Sequence, residues 1–163
     1  MTNAFARSTH GGLLLLAAGW LATAAPAGAG TKNGASDALL TPTNSAVILI
    51  DHQPQMAFAT HSIDTGVLVN NVTGLAKAAK VFGVPTILTT VASKSFSGPI
   101  FPSIQAVFPE QVPIDRTTMN SWEDANFMKA VKAAGRKKLI IAALWTEVCL
   151  MGVAASCAMG ERS

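Results

Sequence analysis

An α/β fold with a parallel sheet covered by helices on both faces is the architecture this sequence predicts. Three observations carry it. Residues 45–51 and 138–144 are largely apolar runs of strand length, the first rich in β-branched residues, and 85–91 reads as a further strand; the apolar runs lack the alternation expected of a sheet with one wet face. Segments with apolar residues at helical spacing lie between them. Glycine and proline punctuate the joins, as alternating strand and helix units require.

Each element follows in order. Ser45 to Ile50 is a doubly buried strand closed by Asp51. After a polar loop, Val69, Val72, Leu75, Ala79 and Phe82 mark one helix face, and Gly83 and Pro85 stop it. Residues 85–91 form the second strand, 92–102 a loop, 103–108 a short helix and 112–117 a weaker third strand. Ser121 is the expected cap of a helix over 122–134, with Glu123 and Asp124 in its first turn. Phe127, Ala130, Val131 and Ala134 give that helix its inner face, and Gly135 ends it. Residues 138–144 are the fourth strand, expected at an open edge, and 147–159 the last helix.

Residues 1–29 read as a secretory signal peptide. Arg7 supplies the positive start, residues 11–24 the apolar stretch, and Ala27, Gly28 and Ala29 the small-residue cleavage site. The apolar stretch is short for a membrane span and meets Pro26. A secreted or periplasmic protein with no stable membrane insertion after cleavage is expected; an uncleaved anchor is the alternative. Residues 30–43, rich in Gly, Ser, Thr and Asn, are the expected flexible lead-in, and 44–163 the folded domain.

Composition narrows the function. Half the residues are hydrophobic and 13% are charged, which excludes disorder. Tyr is absent and aromatics make up 6%, a poor supply for stacking bases. The net charge is +3 with scattered cations, so no nucleic-acid partner is expected. No glycine-rich phosphate loop follows a strand. His52 and His61 are too few and badly placed for a metal site. Cys149 and Cys157 are eight positions apart in one expected helix, about 12 Å, too far for a disulfide.

Ligands of open parallel sheets bind beyond the carboxyl ends of the strands. Asp51, Arg116 and Cys149 all fall there. With strand order 3-2-1-4, Asp51 and Cys149 face each other across the switch point, and a long arginine reaches toward them from the third strand. Cys149 also starts a helix, where unpaired N–H groups and the dipole favour a thiolate and an oxyanion. Taken singly, a cysteine after an apolar strand serves packing, and an aspartate at a strand end serves a turn.

Three stretches together carry a resemblance: Leu49-Ile50-Asp51-His52-Gln53, the segment from Arg116 to Asp124, and Thr146-Glu147-Val148-Cys149. They resemble the isochorismatase-like cysteine hydrolases, most closely the YcaC-type branch. The resemblance implies a three-layer α/β/α, Rossmann-like fold whose later strands are missing here, leaving the domain incomplete at its C-terminus. It implies hydrolysis of a small amide or related C–N substrate through a thioester, with no cofactor and often in a homo-oligomer. By position, Cys149 is the nucleophile and Asp51 the general base, while the family's lysine falls on Arg116. Lys94 is an alternative cation. Val148, with Gln53, Trp145, Thr146 and Phe96, is expected to serve the oxyanion or the substrate. A cis peptide near Trp145 and Thr146 is a further implication. The competing readings are a non-catalytic remnant that binds a ligand or partner, and a thiol redox protein.

Overall fold

The computed structural model describes residues 39–160; the expected signal peptide lies outside them. Four strands, β1 (Ser45–Ile50), β2 (Thr86–Val91), β3 (Ile114–Arg116) and β4 (Lys138–Ala143), form one parallel sheet in the order β3-β2-β1-β4. This is the expected α/β fold and strand order. Residues 41–44, at the end of the expected lead-in, form a turn in which Asn44 Oδ1 accepts the Thr41 N–H at 2.8 Å.

The strands of the sheet centre are buried along nearly their whole length because both of their faces are covered. Successive side chains point to opposite faces of a strand. Val47 and Leu49 of β1 join Leu88 and Val91 of β2 under α1 (Pro54–Phe58), α2 (Thr65–Val81) and α3 (Pro102–Val107). Ile48 and Ile50 pack with Ile87 against α4 (Ala125–Ala134) and α5 (Met151–Gly160), through Phe127 and Val153. Two apolar clusters on either side of one sheet make the three layers. The strand β4 pairs with β1 alone and is half-buried along its length, so it is one of the two edge strands among the described residues, β3 being the other.

Several boundaries differ from the sequence expectation for local reasons. The polar loop after β1 contains α1, which Pro54 starts at a position where a missing N–H costs nothing. Asp64 caps α2 by accepting the Val67 N–H. The strand β3 is three residues long, following Pro113, and pairs only with Thr89, Thr90 and Val91. Ser121 does not cap the long helix. Asp124 does, its Oδ1 accepting the N–H groups of Asn126 and Phe127, while Ser121, Trp122 and Glu123 form a 3-10 turn capped by Asn120. A carboxylate three residues ahead of the apolar face outcompetes the hydroxyl, because a charged acceptor makes the stronger bond to two orphan donors. Gly135 ends α4 at φ 61°, as expected of a left-handed stop.

The last helix begins differently from expectation. Thr146–Leu150 is a wide π turn, and the Trp145 carbonyl accepts from Val148, Cys149 and Leu150 at 3.3, 2.9 and 3.2 Å. A cis peptide joins Leu144 and Trp145, one residue ahead of the expected place.

Phe127 is fully buried and meets Trp122 edge-to-face at 6.1 Å. Replacing it with alanine should cost about 3–5 kcal/mol. The exposed Phe82 of the opposite layer should tolerate the same change within about 0.5 kcal/mol. Chemical denaturation of Phe127→Ala and Phe82→Ala measures both.

Candidate active site

Asp51, Arg116 and Cys149 converge at the carboxyl ends of β1, β3 and β4. Asp51 follows Ile50 and takes a left-handed backbone, φ 57°, which non-glycine residues seldom adopt. Its N–H still donates to the Thr89 carbonyl at 3.0 Å, so the ladder to β2 holds while the chain turns away. The carboxylate Oδ2 accepts from Arg116 Nη2 at 2.5 Å, and both side chains are fully buried. Arg116 Nη1 donates to the carbonyls of Thr118 and, at 3.4 Å, Met119. The loop that follows β3 thus wraps around its own guanidinium.

That loop is fastened to the helix carrying Cys149. Asn120 Nδ2 donates to Ser156 Oγ at 3.0 Å. Gly152 permits the approach, since a Cβ there would lie 3.3 Å from Asn120 Cγ. The Cys149 side chain is buried on the Phe127 side of the sheet and lies within hydrogen-bonding reach of the Asp51 carboxyl group. Asp51 Oδ1 has no hydrogen-bond partner among the described residues.

Electrostatics separate the three groups. Burial pushes the Asp51 carboxyl above its usual range, against the pull of Arg116 and of the thiol. Burial, then the hydrogen bond and charge of Asp51, push the Cys149 thiol up to about 12. The thiolate expected from the helix N-terminus is therefore replaced by a neutral thiol. Cys149 is the fourth residue of the helical turn, and an adjacent carboxylate in a dry site outweighs a partial dipole charge.

Other expected site residues are placed elsewhere. Lys94 is exposed and acts on Asp115. Partial burial works against that carboxylate, but the Ser93 amide, the Ser93 and Thr90 side chains and Lys94 together hold it below the usual range. Lys94 is absent from the groups that perturb Asp51. Phe96 is 69% exposed. Gln53 is fully buried with its amide engaged by backbone. The N–H groups of Val148 and Cys149, expected to be open for an oxyanion, both go to the Trp145 carbonyl. This leaves the amides of Thr146 and Glu147 as those without an intrahelical acceptor. Trp145 Nε1 donates to the Met56 carbonyl at 2.9 Å. Thr146 and Glu147 line a cleft of about 560 Å³ with His61, Ile63 and Leu144. None of Asp51, Arg116 and Cys149 lines that cleft, and their exposures are 0, 3 and 1%.

The sequence reading missed the Thr118 and Met119 carbonyls that hold Arg116 and the contact of Asn120 with Ser156. Their only sequence signal is membership of the segment that begins at Arg116; backbone acceptors leave no mark on residue type. Among the described residues, no cluster of three His, Cys, Asp or Glu is placed to hold a metal ion. No described helix is long and apolar enough to cross a membrane. Neither cysteine is in a disulfide.

Comparison with known proteins bears on the family and the fold. The model of the isochorismatase domain matches residues 45–159. Over 112 residues the chain is 42% identical to the probable hydrolase YcaC of Escherichia coli, covering 68% of this chain and 54% of that protein. The chain thus spans about half the length of this curated relative. The crystal structure of the E. coli YcaC gene product, an octameric hydrolase of unknown specificity, superposes with a TM-score of 0.73 at 39% identity, over 78% of this chain and 63% of that one. YcaC from Pseudomonas aeruginosa, solved with hexane-2,5-diol and covalent acrylamide, gives 0.73 at 34% identity, over 78% and 64%.

His52, next to Asp51, is 2% exposed, and burial lowers its imidazole to about 4. An unfolded histidine takes up a proton near 6.5. Between these values the unfolded chain binds the proton and the folded one does not. The stability held by neutral His52 is therefore complete above pH 6.5 and is lost as pH falls toward 4, by up to about 3 kcal/mol. Denaturation curves from pH 7 to 4 should show this slope, and His52→Asn should remove that part of it.

Proposed function

From the premise that this chain belongs to the isochorismatase-like hydrolases, in their YcaC branch, we propose that it acts on a small amide or related C–N substrate with Cys149 as nucleophile. The observation that carries this reading is a buried thiol whose proton affinity is raised by a neighbouring carboxylate, itself held through Oδ2 by a buried arginine. Three strands and a helix bring these groups together, and nothing in core packing calls for them.

In the mechanism, the Cys149 proton passes to Asp51 as the sulfur attacks the carbonyl carbon, because a thiol held near 12 is not ionised beforehand. The raised affinity of Asp51 for protons makes it the stronger base. Arg116 keeps its charge throughout and transfers no proton, so it holds Asp51 in place and balances the charge. The Thr146 and Glu147 amides are the donors available to the oxyanion. Asp51 returns the proton to the leaving amine, and water activated by the same carboxylate cleaves the thioester. The covalent acrylamide of the P. aeruginosa relative supports reactivity toward small amide electrophiles. The octameric E. coli relative supports a homo-oligomer, and Arg7, the apolar stretch and the Ala-Gly-Ala site support export.

A second reading, a binding domain without turnover, draws on the near-complete burial of Cys149. Intact-mass measurement after incubation with acrylamide separates the two. The hydrolase reading expects one adduct on wild type and none on Cys149→Ala; a wild type that stays unmodified overturns it. On any amide the protein turns over, Asp51→Asn should lose about 10²–10⁴ in rate. The acid limb of the rate profile should lie above the ordinary carboxylate range, because Asp51 must be ionised to act and its affinity for protons is raised.

A further inference from the structure

We infer that Gln53 is a positioning residue whose side-chain amide stands in for a rung of the β1–β2 ladder and thereby sets the contact between Asp51 and Arg116. This rests on the hydrolase reading above and adds to it a residue that reaches neither substrate nor sulfur.

The left-handed turn at Asp51 takes the main chain of β1 out of the sheet after the Asp51 to Thr89 bond. Val91, two residues further along β2, would face that gap with an unpaired N–H and carbonyl. Gln53 fills it. Its Oε1 accepts the Val91 N–H at 3.0 Å, and its Nε2 donates to the Val91 carbonyl at 3.1 Å. One carboxamide thus reproduces both bonds that a strand backbone would make. Nε2 also donates to the Gly98 carbonyl at 2.6 Å, drawing in the loop after β2.

On its other side, the end of β2 holds β3. Val91 is in register with Arg116, and the Ala92 N–H donates to the Arg116 carbonyl at 2.9 Å. A closed circuit results, running from Asp51 through Gln53, Val91, Ala92 and Arg116 back to Asp51 by the ion pair. All of the side-chain bonds in it are buried, so little slack is available from water. With the amide removed, the β2 end and the backbone of Arg116 are free to shift. A looser guanidinium stabilises the carboxylate less, and Asp51 binds protons more readily.

A matched control exists in the same chain. Gln105 Nε2 donates to the carbonyls of Phe108 and Gln111 at 2.9 and 2.8 Å, closing a loop that is not part of the circuit. The experiment is the pH profile of acrylamide addition to Cys149, followed by intact mass in wild type, Gln53→Met, Gln53→Glu and Gln105→Met. The expected result is an upward shift of the midpoint by about one pH unit in both Gln53 variants, with about tenfold slower addition at neutral pH, and a profile for Gln105→Met that overlays wild type. Gln53 variants that overlay wild type would reduce Gln53 to a loop clamp and overturn the inference. Should they fail to fold, the side-chain amide resonances of Gln53 in wild type decide. They titrate with the midpoint of the addition reaction if the circuit is real, and a pH-independent pair of signals overturns it. A wild type that does not add acrylamide sinks the hydrolase reading instead, a different outcome from reactive protein with unmoved Gln53 variants.

Discussion

The buried ion pair between Asp51 and Arg116 is the constraint around which the carboxyl end of the sheet is organised. Taking a carboxylate and a guanidinium out of water costs several kcal/mol per ion unless the geometry is close and the remaining hydrogen-bonding capacity is met. Here Oδ2 and Nη2 meet at 2.5 Å and Nη1 is held by two carbonyls, while Asp51 Oδ1 and Arg116 Nε are buried without a partner among the described residues. Reaching that geometry requires a left-handed Asp51, a conformation of about 1–3 kcal/mol that survives only where neighbours determine it. The break in β1, the stand-in amide of Gln53 and the wrapped loop after Arg116 are all consequences of placing these two charges together.

An arginine at this position also divides the labour of the site. Lysine can lose its proton when buried, whereas arginine keeps its charge and offers a planar fork. In the proposed mechanism Arg116 is a fixed cation, and the proton moves between Asp51 and Cys149 alone. Both groups are pushed toward their protonated forms, chiefly by burial. The resting thiol is therefore neutral, and in the proposed mechanism the nucleophile forms only as Asp51 takes its proton.

The start of the last helix serves that arrangement through Trp145. Its carbonyl gathers three successive N–H groups into a wide turn, and its indole is tied to Met56. The outer strand β4 delivers the chain to this point while remaining half-buried. Precision at Cys149 thus comes from the turn and from the Asn120 contact with Ser156, not from deep burial of the strand that precedes it.

Much of this was legible in residue types. Continuous apolar runs at 45–50 and 138–143 required a sheet covered on both faces, and the positions of Asp51, Arg116 and Cys149 after strands placed them at one end of it. Gly135 and the helical spacing of Phe127 and Val131 set α4 in the right layer. What residue types do not encode is competition among partners. Asp124 displaced Ser121 as a cap because a carboxylate accepts more strongly than a hydroxyl. By residue type Gln53 is open to a substrate, to the Asp51 loop or to backbone; only the fold gives its amide to Val91 and Gly98. Cys149 read as a thiolate until burial and a neighbouring carboxylate outweighed the helix end. Pattern and order along the chain specify which surfaces must be hidden, since hydrophobic burial depends only on what each residue is. Hydrogen-bond partners and proton affinities depend on distances between residues far apart in sequence, and those exist only once the chain has folded.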